Sequence, residues 1–180
     1  PENELVIKRV IHTTADFDYA DNLTFSDHAV QKGIAALKSG CDIVTDTQMA
    51  KAGINKTILA SLGGEVHCFM SDPDVAQEAR SRGVTRAFVS MEKAAVLEKP
   101  CIFAIGNAPT ALLSLEQLME EGKAAPALII GVPVGFVNVE ISKERIIEKA
   151  RAPYIVARGR KGGSNVAAAI CNALLYQIRR

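Results

Sequence analysis

Cys101-Ile102-Phe103-Ala104-Ile105-Gly106-Asn107-Ala108-Pro109-Thr110 is the stretch that decides the fold class. Five apolar residues follow one another without alternation, the pattern of a strand covered on both faces of a parallel sheet. Gly106 and Asn107 then break the run, and Pro109 suits the first turn of the helix expected over Thr110–Glu121. A strand, a short polar link and a helix make up part of a βαβ unit.

The same pattern recurs on both sides. Strand-like runs fall at Asp42–Thr45, Glu65–Met70, Ala127–Val132 and Tyr154–Ala157, all but Glu65–Met70 nearly uniformly apolar. Helical patterns fill the intervals: a first helix ending near His12, then Asp27–Ser39, Thr47–Leu62, Pro73–Ser81, Thr85–Leu97, Ser142–Arg151 and Ala167–Ile178. The start of Thr85–Leu97 also reads as a short strand, but helix formers outnumber strand formers across it. Gly40, Gly63-Gly64, Gly83 and Gly122 each follow a helical pattern, where a left-handed stop residue is wanted. The expectation is one α/β domain over residues 1–180: a five-stranded parallel sheet with helices on both faces and right-handed crossovers.

Composition narrows the function by exclusion. The chain has 180 residues, 48% hydrophobic, with 21 basic against 20 acidic residues. That balance does not suggest polyanion binding, and 6 Phe with 3 Tyr and no Trp make a stacking platform for nucleic acid an unsuitable reading. No apolar run approaches the roughly 18–20 residues of a spanning helix, so no membrane role is expected. Cys41, Cys68, Cys101 and Cys171 lie far apart, each in or beside an apolar run and without zinc-site spacing. They read as buried reduced thiols, and the expected setting is the cytoplasm.

In such sheets ligands bind beyond the carboxyl ends of the strands. Those ends are Thr45-Asp46, Met70-Ser71-Asp72, Gly106–Thr110, Gly131–Phe136 and Arg158–Asn165. The last is Arg158-Gly159-Arg160-Lys161-Gly162-Gly163-Ser164-Asn165, ahead of an alanine-rich helix. Its glycines and free N–H groups suit an anion, although it has neither the P-loop nor the dinucleotide spacing. A solvated basic turn capped by Ser164 is the alternative. Gly131-Val132-Pro133-Val134-Gly135-Phe136 could line a flat apolar ligand or be a structural turn. His12 is a candidate acid or base, since histidine titrates near neutrality, and equally a satisfied, partly buried residue. Asp16, Asp18 and Asp21 could suggest a cation, but no glycine and closing glutamate follow in register, so no metal is expected.

Taken in series, five segments resemble the precorrin-8X methylmutase family of cobalamin biosynthesis. They are Arg9–Asp16, Cys41–Asp46, Ala104–Leu112, Ile130–Val137 and Arg158–Ser164, which span most of the chain in matching order. The resemblance implies a three-layer, flavodoxin-like sheet of strand order 2-1-3-4-5, counting the five expected strands along the chain. It implies an isomerase without a cofactor of its own, moving a methyl group from C-11 to C-12 of precorrin-8X or cobalt-precorrin-8. The products are hydrogenobyrinic acid or its cobalt counterpart, and the Thr13–Tyr19 run looks more like members acting on the cobalt-containing ring. It further implies a homodimer with active sites at the interface, and His12 as the acid that protonates a ring nitrogen. Substrate-contacting positions carried over by the motifs are Thr13, Thr14, Thr45, Asp46, Gly106, Asn107, Ala108, Thr110, Gly131, Pro133, Val134, Gly135, Arg158, Gly159, Arg160, Gly162, Gly163 and Ser164, with Arg86 matched through Val84-Thr85-Arg86-Ala87.

Members usually carry a longer segment ahead of the histidine motif, whereas eleven residues precede His12 here. The upstream serine that the family brings to its site is therefore expected to be lacking or supplied by another chain. Two rival readings follow. A non-catalytic tetrapyrrole carrier would bind the macrocycle without converting it. A nucleotide- or phosphate-binding enzyme would use the Gly159–Ser164 loop.

Overall fold

A computed structural model describes residues 1–149 and 151–179 of the chain. The strands are β1 (Leu23–Phe25), β2 (Asp42–Thr45), β3 (Val66–His67), β4 (Cys101–Ile105), β5 (Leu128–Gly131) and β6 (Tyr154–Ala157). They form one sheet in the order β1-β6-β5-β4-β2-β3. The pairings β3–β2, β2–β4, β4–β5 and β5–β6 are parallel.

The sheet departs from the five-stranded, all-parallel expectation. It has six strands, and the additional β1 runs antiparallel to β6 at the edge. Leu23-Thr24-Phe25 is too short to show a period of its own. It becomes a strand because the free edge of β6 offers unpaired groups, with Leu23 opposite Ala157 and Phe25 opposite Ile155. The run Glu65–Met70 shrinks to Val66–His67, for β3 is the other edge and pairs only with Ile43 and Val44.

Ten helices among the described residues cover the sheet: α1 (Glu4–Thr14), α2 (Tyr19–Asn22), α3 (Ala29–Lys38), α4 (Gln48–Gly53), α5 (Lys56–Ser61), α6 (Pro73–Arg82), α7 (Arg86–Ala95), α8 (Pro109–Glu120), α9 (Val139–Lys149) and α10 (Ser164–Ile178). The single helix expected over Thr47–Leu62 is two. The first ends at Gly53 with Ile54 extended, and Asn55 caps the second, its Oδ1 accepting the Ile58 N–H at 3.0 Å. Helix α9 begins before the expected Ser142, and residue 150 of the expected Ser142–Arg151 span lies outside the described residues. Helix α10 begins at Ser164 rather than Ala167, which brings its first N–H groups up to the loop before it.

Alternate strand residues feed two apolar layers. Ile43, Ile102, Ala104, Leu128, Ile130, Ile155 and Ala157 pack with α1, α3 and α10. Val44, Phe103, Ile105, Ile129 and Val156 pack with residues of α7, α8 and α9. This period of two explains the unbroken hydrophobic runs, since both faces of every central strand are dry. All four cysteines are buried and unpaired, and burial pushes the Cys41 and Cys171 thiols up to about 12. No described helix is long and apolar enough to cross a membrane.

Candidate active site

The parallel strands reverse their order of addition at β2, with β3 on one side and β4 on the other. In open α/β sheets the ligand crevice lies at such a switch point, which here falls above the ends of β2 and β4. Asp46 closes its floor. Its carboxylate accepts N–H bonds from Gly106 at 2.8 Å, Asn107 at 2.9 Å and Ala108 at 2.6 Å. Burial pushes the Asp46 carboxyl above its usual range, opposed by those three donors.

Three further contacts join the neighbouring loops. Thr47 Oγ1 and Ser164 Oγ lie 2.8 Å apart, tying the β2–α4 link to the start of α10. The Gly163 N–H donates to Val132 O at 2.9 Å, and the Gly135 N–H donates to Arg160 O at 3.1 Å. Two glycines make this possible. A Cβ on Gly106 would stand 2.7 Å from Gly163 O, and one on Gly162 would stand 2.0 Å from Val132 O.

Of the expected site residues, Thr45, Asp46, Gly106, Asn107, Ala108, Gly131, Pro133, Gly135, Arg158, Gly159, Arg160, Gly162, Gly163 and Ser164 belong to this connected set of strand ends and loops. Thr45 and Asp46 are 0% and 1% exposed, so they shape the loops from beneath and offer no open surface. The N–H groups of the next loop are the partners of the Asp46 carboxylate, and Thr45 Oγ1 donates to Thr47 O at 2.9 Å. Val134 is exposed beside Pro133. Thr110 opens α8, and its hydroxyl accepts weakly from Thr85 Oγ1 at 3.5 Å, which sets exposed Arg86 at the same end of the sheet.

The cationic loop carries counter-charges of its own. Arg158 makes a bidentate pair with Glu144, at 2.9 and 2.8 Å. Lys161 reaches Asp16 at 2.7 Å and Asp18 at 2.6 Å. Only Arg160, among the described residues of this loop, has no carboxylate partner; its guanidinium lies 5.5 Å from the centroid of the exposed Phe136 ring. Two of the three cations thus have local counter-charges that sequence order concealed. Glu144 and Lys143 on α9 were not legible as site residues, since a Lys-Glu pair on a helix ordinarily faces water.

His12, Thr13 and Thr14 lie in the last turns of α1, outside the strand-end crevice. His12 is exposed and lines a groove of about 250 Å³ together with Leu5, Lys8, Arg9, Ala173, Tyr176 and Gln177. Arg9 lies over the Tyr176 ring at 4.6 Å in that groove. The link between this face and the crevice is Lys161, whose ammonium holds the turn following α1 through Asp16 and Asp18. Among the described residues no group of three possible metal ligands comes together, the Asp16–Asp21 acids included.

The sequence profile of the precorrin-8X methylmutase family matches residues 1–177. The chain belongs to the precorrin-8X methylmutase family. The cobalt-precorrin-8 methylmutase of Salmonella typhimurium is 50% identical over 180 residues, covering 99% of this chain and 83% of that protein. The precorrin-8X methylmutase of Pseudomonas aeruginosa is 40% identical over 172 residues, covering 95% of this chain and 82% of the other. A solved precorrin-8x methyl mutase from Thermus thermophilus superposes with a TM-score of 0.87 at 40% identity, covering 97% of this chain and 85% of that one. Methylmutases are isomerases, so the match names a reaction class as well as a fold. Family members bearing either substrate name are therefore similar to this chain along almost all of its length.

Proposed function

We propose that this chain catalyses the methyl shift from C-11 to C-12 of precorrin-8X or cobalt-precorrin-8, with His12 as general acid. The observation that carries the reading is the family match over residues 1–177, joined to the motif loops that hydrogen bonds bring together at the strand ends. The bond from the methyl carbon to C-11 breaks as its bond to C-12 forms, and no atom enters or leaves. Such a step asks for a macrocycle held in one orientation and a proton donor that later recovers its proton. The crevice suits the first demand. Exposed Val134 and Phe136 offer apolar contact to a flat ring, and Arg160, Arg86 and the N–H groups opening α10 offer partners to its carboxylates.

His12 is exposed rather than enclosed by its own chain, and so are Leu5 and Phe17 on the same N-terminal elements. A homodimer in which a second copy covers this face would remove the histidine from bulk water and complete the site. Sedimentation at micromolar concentration is expected to give twice the chain mass; a monomer there would defeat the shared-interface arrangement. The catalytic reading is tested by mixing the protein with the macrocycle and following its visible spectrum. Wild-type protein is expected to convert it, and His12→Ala to lose at least about a hundredfold in turnover, the usual scale of a general acid. Stoichiometric binding without conversion would favour the carrier reading instead.

A further inference from the structure

Lys143 is 0% exposed and the largest of the fully buried side chains, yet it is a lysine. Its Nζ donates to Gly159 O at 2.8 Å and to Lys161 O at 3.0 Å. Those carbonyls flank Arg160 on either side. The Arg160 carbonyl is itself held by the Gly135 N–H. Three successive peptide units are therefore fixed, while the Arg160 side chain stays exposed, resting near Phe136.

Hydrophobic packing gives no reason for an ammonium at this place. Removing it from water is costly, and an apolar side chain of similar volume would pack α9 against β6 without that cost. Glu140, one turn earlier on α9, is exposed and makes no ion pair with it. What the charge does supply is a pair of donors reaching two carbonyls that point to one spot. Neutral apolar residues cannot do this, and a loop containing Gly159, Gly162 and Gly163 would otherwise have many backbone paths.

We propose that Lys143 is a positioning residue that aims Arg160 at a carboxylate on the rim of the substrate. The inference rests on the functional reading above. Arg160 makes the contact, and Lys143 acts through the two carbonyls that flank it. Loss of the lysine therefore weakens binding of the anionic rim and leaves the methyl transfer itself nearly intact.

The test compares Lys143→Met, Lys143→Arg, Arg160→Met and the double variant Lys143→Met with Arg160→Met. Lys143→Met is expected to raise KM about tenfold with kcat within about threefold, the scale of one charge-assisted contact. Arg160→Met should do the same, and the double variant should be no worse than Arg160→Met alone. Lys143→Arg keeps two donors and should recover most of the affinity. An unchanged KM in folded Lys143→Met, or effects that multiply in the double variant, overturns the proposal. So does a chain that folds with neither methionine nor arginine, since the lysine would then be needed for the fold itself. Amide exchange without substrate separates the hold of Lys143 on the loop from substrate recognition. The Gly135 N–H, which donates to Arg160 O, should exchange at least about tenfold faster in Lys143→Met while α10 is unchanged. If wild-type protein neither converts nor binds the macrocycle but the loop still loosens, the functional reading fails and the hold of Lys143 on the loop stands.

Discussion

The Asp46 carboxylate accepts the Gly106 N–H at 2.8 Å, joining the ends of two strands 60 residues apart at the switch point of the sheet. Ala108 and Asn107 use the same carboxylate, so one side chain sets the backbone of the link between β4 and α8. Asp46→Asn puts an amide NH₂ against N–H donors in a buried place. The expected loss is about 2–4 kcal/mol, or roughly 5–15 °C in Tm for a chain of this size. Calorimetry checks it, and turnover should fall as the loop moves.

Gly162→Ala tests the interlock of the loops after β5 and β6. Its Cβ would meet Val132 O at 2.0 Å, and backbone cannot step aside as a side-chain tip can. The variant is expected to lose about 1–3 kcal/mol in denaturant unfolding and most of its activity.

The bond of Lys161 to Asp16 and Asp18 ties the end of α1 to the loop after β6. Lys161 and Asp18 are exposed and Asp16 is half-buried, so Asp16→Asn with Asp18→Asn should leave Tm nearly unchanged. Turnover should fall several-fold, because the turn after the His12 helix loses its anchor. Lys161 holds the Asp16 carboxyl below its ordinary value of 3.8. The bond is then complete above the ordinary carboxylate range and is released only as pH falls through the lowered Asp16 value. Titration of the Asp16 carboxyl by NMR in wild type and Lys161→Met reads this directly.

Burial lowers the Lys143 ammonium from 10.5 to about 8. Between those values the unfolded chain binds more protons than the folded one, so unfolding free energy rises with pH. Wild-type stability should therefore climb from about pH 8 toward pH 10.5, relative to Lys143→Met, in which that component of the slope is absent. Urea unfolding at closely spaced pH values measures the difference; parallel curves for the two proteins would contradict it.

Much of the architecture was legible because it rests on local chemistry. Cys101–Ile105 is uniformly apolar since helices dry both faces of β4, and Pro109 starts α8 with a residue that needs no N–H partner. Leu23–Phe25 carried no such signal, because its strand conformation comes from the edge of β6 more than a hundred residues later. Asn55 could likewise be read as a polar helix residue, yet its side chain caps a second helix just after the first has ended. In the candidate site the motif loops were visible as glycine-rich strand ends. Their mutual contacts were not.

The sequence by itself determined the α/β class, the strand-end loops and the family resemblance, because periodicity, glycine placement and motif order are properties of neighbours along the chain. Only the tertiary structure decided which charges remain available. Arg158, Arg160 and Lys161 look equivalent in the sequence, but Glu144 holds the first and Asp16 with Asp18 the last. It also turned Lys143 inward onto two carbonyls rather than out to water. Charge pairing acts through space over a few ångströms, and the partners here come from helices and turns that linear order keeps apart.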